Sequence, residues 1–300
     1  MTKSFVRCAA VAATLVTASA WAGGYKVPRL ADGTPDFQGF WSNATATPME
    51  RSPELGDRRS FTQAEAEAIS KAALAAVAAD AAPSDPEKKI EAAQSLPPVG
   101  NYNLFWTDRG MYVAMIDGEY RTSMIIDPPN GRVPALTAAG QQRIGARTSA
   151  RNMNDGPEGR ALGERCLLSF GSSSGPPMLP TMYNSYYQIV QSPGHLVILV
   201  EMVHDARIIR IGDQHAAKDI KKWMGDSVGR WEGDTLVVET RNFRPEQSFR
   251  GSSENMVVTE RFTRVADDKI VYRFTVEDPT SFTAPFTGEL PFQSVDADIY

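Results

Sequence analysis

Tyr186-Tyr187-Gln188-Ile189-Val190-Gln191, then Pro193-Gly194, then His195-Leu196-Val197-Ile198-Leu199-Val200-Glu201-Met202-Val203-His204 is the stretch whose reading decides the fold class. Two runs rich in β-branched and aromatic residues flank a Pro-Gly turn, which predicts a β-hairpin. Strand alternation puts Ile198, Val200, Met202 and His204 on one face, and Val197, Leu199, Glu201 and Val203 on the other. One face therefore carries a carboxylate in apolar company. Such a group is hydrogen-bonded, ion-paired or shifted in pKa. Two readings stay open for Glu201. It forms a structural ion pair with Arg207 or Arg210, or it is a polar group inside a ligand cavity.

Working outward, the same signal repeats. Arg207–Ile211 reads as a strand. Arg230–Trp231, a Glu232-Gly233 turn and Asp234–Thr240 form a second hairpin, and Met256–Val265, Asp267-Asp268 and Lys269–Glu277 a third. Upstream, Met111–Ile116, Asp117-Gly118 and Glu119–Ile126 form another. Short connections make antiparallel neighbours. Seven or more such strands predict a mainly β fold, an antiparallel barrel or strongly curved sheet, spanning residues 111–300. Thr137–Arg147 reads as a short helix, and residues 151–181, rich in Gly, Ser and Pro, as mostly loop.

Residues 23–110 read as an extended segment followed by helices that pack outside the barrel, within one domain with the β region. Phe37–Trp41 is its buried piece. Thr62 and Glu65 form a capping box for a helix over 62–82, Pro83 ends it, and Ser84, Pro86 and Glu87 signal a second, shorter helical start. The first 22 residues are of another kind. Lys3 and Arg7 precede an apolar run from Cys8 to Ala20, and Ala20-Trp21-Ala22 is a small-x-small cleavage signal. We expect a signal peptide cut after Ala22 and a periplasmic or secreted product.

The chain has 300 residues, 31 Lys+Arg, 36 Asp+Glu, three His and two Cys, with a formal charge of −5. Removing 22 residues that include Lys3 and Arg7 leaves 278 at a charge of −7, with Cys166 alone. The acidic balance gives no global attraction to nucleic acid, and neither a disulfide framework nor a four-thiolate zinc site can be built. No later segment is apolar enough to span a membrane as a helix.

Several constellations could carry chemistry. Gly171-Ser172-Ser173-Ser174-Gly175 matches the nucleophile-elbow spacing, but Pro176-Pro177 follows where a helix should start, which favours a loop. His204, Asp205 and His215 could be metal ligands or simply rim residues, and we expect no metal and no cofactor. The densest polar stretch, Trp223 to Asp234, packs two Trp, three Gly and three carboxylates into twelve residues. It suits tight turns, and equally a barrel mouth that takes a small aromatic ligand.

Trp223-x-Gly225-Asp226-Ser227-x-Gly229-x-Trp231-Glu232-Gly233-Asp234-Thr235-Leu236-Val237-Val238-Glu239-Thr240 resembles the signature of a large family of exported bacterial proteins, mostly without an assigned activity. Pro35-Asp36-Phe37-x-Gly39-x-Trp41, Tyr102-Asn103-x-Phe105-Trp106 and Arg121–Thr137 are similar in the same order. The resemblance, with the G-x-W of Gly39-Phe40-Trp41, implies a lipocalin-like, calycin-type barrel whose Trp packs across the base. It transfers no catalytic set. It also implies a further C-terminal segment with a Cys and a His beyond Asp298-Ile299-Tyr300, making this chain short relative to the family.

The function expected first is binding of a small hydrophobic or aromatic molecule, with Trp41, Tyr187, Trp223 and Trp231 supplying area and Arg207 and Arg210 orienting a polar group. The alternative is a lyase, isomerase or hydrolase that uses Glu201, His204, Asp205 and Asp226 as acid/base in the same cavity. A third reading is an envelope interaction protein that makes contacts through the loops of 151–181.

Overall fold

Alternating apolar residues close into a barrel because their inward faces can leave water only by meeting one another. The computed structural model describes residues 24–80, 110–150, 156–168, 175–181, 184–247 and 249–296. The expected signal peptide, the second helical start, the Tyr102–Trp106 motif and most of the Gly171–Gly175 run lie outside them.

The first half contributes β1 (Gly39–Ser42), β2 (Ser60–Phe61), helix α1 (Gln63–Asp80), β3 (Met115–Ile116), β4 (Glu119–Arg121), β5 (Ile125–Asp127) and helix α2 (Ala138–Ala150). The second half is β6 (Tyr186–Ser192), β7 (His195–Val200), β8 (Ala206–Ile211), β9 (Asp226–Glu232), β10 (Thr235–Arg241), β11 (Val257–Ala266), β12 (Lys269–Glu277) and β13 (Phe286–Ser294). Strands β6 to β13 run in sequence order, and β1 pairs with both β6 and β13, so nine strands close on themselves. The extended N-terminal segment is thus a stave of the barrel rather than an appendage to it. β5 adds to the free stretch of β13 beside β1.

One pairing departs from the all-antiparallel expectation: β8 and β9 run parallel, with Ile209 opposite Ser227. The connection over 212–225 is long enough to carry the chain back to the starting end, which a parallel pair requires. β13 is a strand the residue pattern did not announce. It contains Gly288 and Pro291, which argue against a central strand. Pro291 is tolerated because it falls between Gly288, which pairs with β5, and Gln293, which pairs with β1. The 111–126 hairpin is shorter than expected: β3 and β4 form it, and β5 leaves for the barrel.

The strand expected to reach His204 ends at Val200. Met202–His204 is a 3-10 turn in which Val203 (φ 64°) and His204 (φ 54°) are left-handed. The alternation therefore stops before Glu201, and the two faces assigned to Glu201 and His204 do not exist. The capping box is as expected: Glu65 N donates to Thr62 Oγ1 at 3.3 Å, and Thr62 N donates to Glu65 at 2.8 Å. α1 lies outside the barrel beside β2 and buries little besides Ala66.

One end of the barrel is sealed by aromatics. Trp41 is 1% exposed, and its Nε1 donates to the Phe37 carbonyl at 3.0 Å. The Arg264 guanidinium lies 5.5 Å over the indole ring and donates to Asp36 O at 2.6 Å. Trp231, half-buried, completes the seal at 5.4 Å from Phe37. Above it, Tyr187, Tyr272, Phe262 and Phe292 fill the interior with ring separations of 4.9–6.4 Å.

The inward face of β13 carries Gly288 because the ring of Phe274 occupies the side-chain volume. A Cβ there would sit 2.4 Å from Phe274 Cζ. Gly288→Val should therefore destabilise the barrel by about 1–3 kcal/mol, read as a lowered denaturant midpoint at unchanged slope. An unchanged midpoint would show that the interior has slack at this level.

Candidate functional site

Among the described residues the barrel interior holds one ion pair. β8 presents Arg207 inward and β11 presents Glu260 inward, both fully buried. Arg207 Nη1 donates to Glu260 Oε1 at 2.8 Å, and Nη2 donates to Glu260 Oε2 and, at 2.9 Å, to Thr240 Oγ1. Nε donates to Ser227 Oγ at 3.1 Å. Tyr272 donates its hydroxyl proton to Glu260 Oε1 at 2.8 Å. Burial and the adjacent carboxylate push the Tyr272 hydroxyl well above its usual range, so it remains a donor. Arg207 is thus paired, but with Glu260 rather than Glu201. Its guanidinium is also already engaged on four N–H groups, and so is not free to orient a ligand's acidic group.

The segment Gly175–Pro180 lies across this ion pair. A side chain at Gly175 would meet Arg207 and Met178, so glycine lets the segment pass close over the guanidinium. Met178 is fully buried, and its amide donates to Tyr272 Oη at 3.0 Å. Just past β1, Asn43 Nδ2 donates to Met178 O at 3.3 Å and to Tyr187 Oη at 3.1 Å. Tyr187 is fully buried and stacks on Phe292 at 5.1 Å; burial raises its pKa. Asn43 is itself fully buried, and its Oδ1 accepts no hydrogen bond among the described residues.

At the rim of this same end stand Glu201, His204 and Asp205. Glu201 N donates to Tyr186 O at 3.1 Å, and Val200 N donates to Asp205 O at 2.8 Å, which ties the turn between β7 and β8. His204 is exposed.

Asp226 does not join them. β9 alternates, so Ser227 faces the interior and Asp226 the outer surface, where the 212–225 connection covers it. Asp226 is fully buried and accepts from Arg210 Nη1 (3.0 Å), Lys222 Nζ (2.7 Å) and the Ala216 amide (2.9 Å). Burial opposes its charge, but these donors outweigh burial and hold the carboxyl well below the usual carboxylate range. It suits an anchor for the connection better than a proton-exchanging group near neutral pH. Arg210, offered as a ligand contact, spends its guanidinium on Asp226, Asp213 and the Gln214 carbonyl. His215 completes this hub, its Nδ1 3.2 Å from Asp226 and its Nε2 3.3 Å from Glu239. Trp223 lies under the Arg244 guanidinium at 4.3 Å, as a surface stack. Among the described residues no group of three His, Cys, Asp or Glu is placed to hold a metal ion.

Of the ligand residues read from sequence, Trp41 and Tyr187 are register partners whose side chains reach opposite ways, Tyr187 to Asn43 on the side of Arg207, and Trp41 to Phe37 on the side of Trp231. Trp223 and Arg210 belong to the outer hub. Glu260, Tyr272 and Asn43 were missed. Glu260 was within reach: Val258, Glu260 and Phe262 share a strand face, the argument applied to Glu201.

Arg207→Met leaves Glu260 buried without its cation and should cost about 3–5 kcal/mol. Arg207→Met with Glu260→Leu should recover most of that loss, as seen in a denaturation double-mutant cycle; purely additive losses would refute the pairing. Asp226, depressed in the folded state, contributes stability above the unfolded carboxyl value of about 3.9 and loses it as pH falls further. The decline of the thermal midpoint below about pH 4 should therefore be shallower in Asp226→Asn than in the parent chain.

No protein-family model matches the chain, and no curated protein is significantly similar to it.

Proposed function

We propose that this protein is an exported, lipocalin-like binding protein that takes a small hydrophobic or aromatic molecule into the barrel end covered by Gly175–Pro180. The observation that carries this reading is Asn43 Oδ1, a buried acceptor without a partner among the described residues, set beside the aromatic wall of Tyr187 and Phe292. Polar groups in an apolar interior are normally satisfied, and a few such groups among aromatics are what a small-molecule site is made of. The covering segment is held to barrel side chains by hydrogen bonds at Met178. The same segment packs on Arg207 at Gly175 and bonds the Tyr272 hydroxyl at Met178, so a ligand that displaces it takes its place over the ion pair. The N-terminal signal pattern and the family resemblance support export.

Intrinsic tryptophan fluorescence of the folded chain should change saturably with aromatic ligands from a mixed panel. Met178→Ala, which thins the cover, should bind faster. A panel that includes planar aromatics and alkyl chains and yields no saturable response overturns the proposal.

The placement of Glu201, His204 and Asp205 on one rim favours a second reading, acid/base chemistry on a ligand held at that end. It does not include Asp226. If turnover of a bound ligand is found, His204→Ala should abolish it and leave binding unchanged.

A further inference from the structure

The charge state of the interior points to the chemical class of the ligand, an inference that rests on the binding reading above. A guanidinium has five N–H groups. In Arg207 four hydrogen bonds go to Ser227, Thr240 and both oxygens of Glu260. The pair is electrically neutral, and no further cation is buried on the inward faces of the nine barrel strands among the described residues. A carboxylate entering this end would be desolvated with no counter-charge. It would also meet Asn43 Oδ1, a lone-pair acceptor, and the Glu260 carboxylate beneath.

The Met178 carbonyl sets the orientation of Asn43: its Nδ2 faces that carbonyl, because the reverse amide orientation would set oxygen against oxygen, while the Tyr187 hydroxyl is compatible with either. The group presented to a ligand is therefore an acceptor. From this we infer that the ligand is a neutral molecule with an O–H or N–H donor on an aromatic or apolar body, a phenol or aromatic alcohol by class, and not a carboxylate such as a fatty acid. Its donor meets Asn43 Oδ1, and its ring extends the stack of Tyr187 on Phe292.

The test is isothermal titration calorimetry of the full chain with 2-naphthol, 2-methoxynaphthalene and 2-naphthoate. The three share one ring system and differ in offering a donor, a blocked donor and an anion. Naphthol should bind about tenfold or more tightly than its methyl ether, the ratio expected when a buried acceptor is left unmet, and naphthoate should bind no more tightly than the ether. In Asn43→Leu the naphthol-to-ether ratio should fall towards one. Equal binding of naphthol and ether, tightest binding of naphthoate, or no binding of the three while the fluorescence panel responds saturably, overturns the inference and leaves the binding reading standing. No binding of any of the three, together with a silent fluorescence panel, removes both. Should Asn43→Leu fail to fold, the three-ligand comparison on the parent chain decides by itself.

Discussion

The rest of this barrel depends on the ion pair buried in its interior. Arg207 and Glu260 sit inside a ring of nine strands, where each charge alone would be too costly to keep. The pair survives because its lone pairs and protons are spent: Ser227 and Thr240 take the guanidinium's other donors, and Tyr272 serves the carboxylate. These five residues come from β8, β9, β10, β11 and β12, so one network ties five consecutive staves together. A hydrophobic core of the same volume could be equally stable. What the network adds is register, since a one-residue slip of any of these strands would turn a member of the network to the outer face.

The two ends of the barrel differ as a consequence. At the Trp41 end the seal is mainly aromatic, with the indole held by Phe37 and roofed by Arg264. At the other end the network approaches the surface and must be covered, and Gly175–Pro180 does so with glycine where the backbone passes the guanidinium. Beside the cover, Asn43 holds its amide nitrogen on protein acceptors, and its oxygen has no hydrogen-bond partner among the described residues. The polar end is therefore the end at which we propose that a small molecule enters, and the aromatic end is where the fold is held shut. The Asp226 hub serves a third need. It pins the long connection that makes β8 and β9 parallel.

Much of this was legible before the structure, and the limits are informative. The hairpins at Gly194, Gly233 and Asp267-Asp268 were readable because both partners lie within a few residues of a turn whose chemistry is local. β13 was not, because Gly288 and Pro291 break strand propensity for reasons that exist only across the sheet: the Phe274 ring on one side and the gap between β5 and β1 on the other. Glu201 was singled out by an alternation that the left-handed Val203 and His204 interrupt. Of the four proposed acid/base residues, three share a rim, while Asp226 lies on the outer face of a neighbouring strand.

The sequence by itself determined the mainly β class, the turns of the C-terminal hairpins, the helix cap at Thr62 and the buried Phe37–Trp41 piece, because period-two patterning, turn residues and capping act over a few residues. Only the tertiary structure decided that β1 closes the ring, that β8 and β9 run parallel, and that Arg207 pairs with Glu260, 53 residues away. The physical reason is that a buried charge selects its partner by proximity after closure, and desolvation makes that choice stringent. No local pattern encodes which of several carboxylates will be brought within 3 Å.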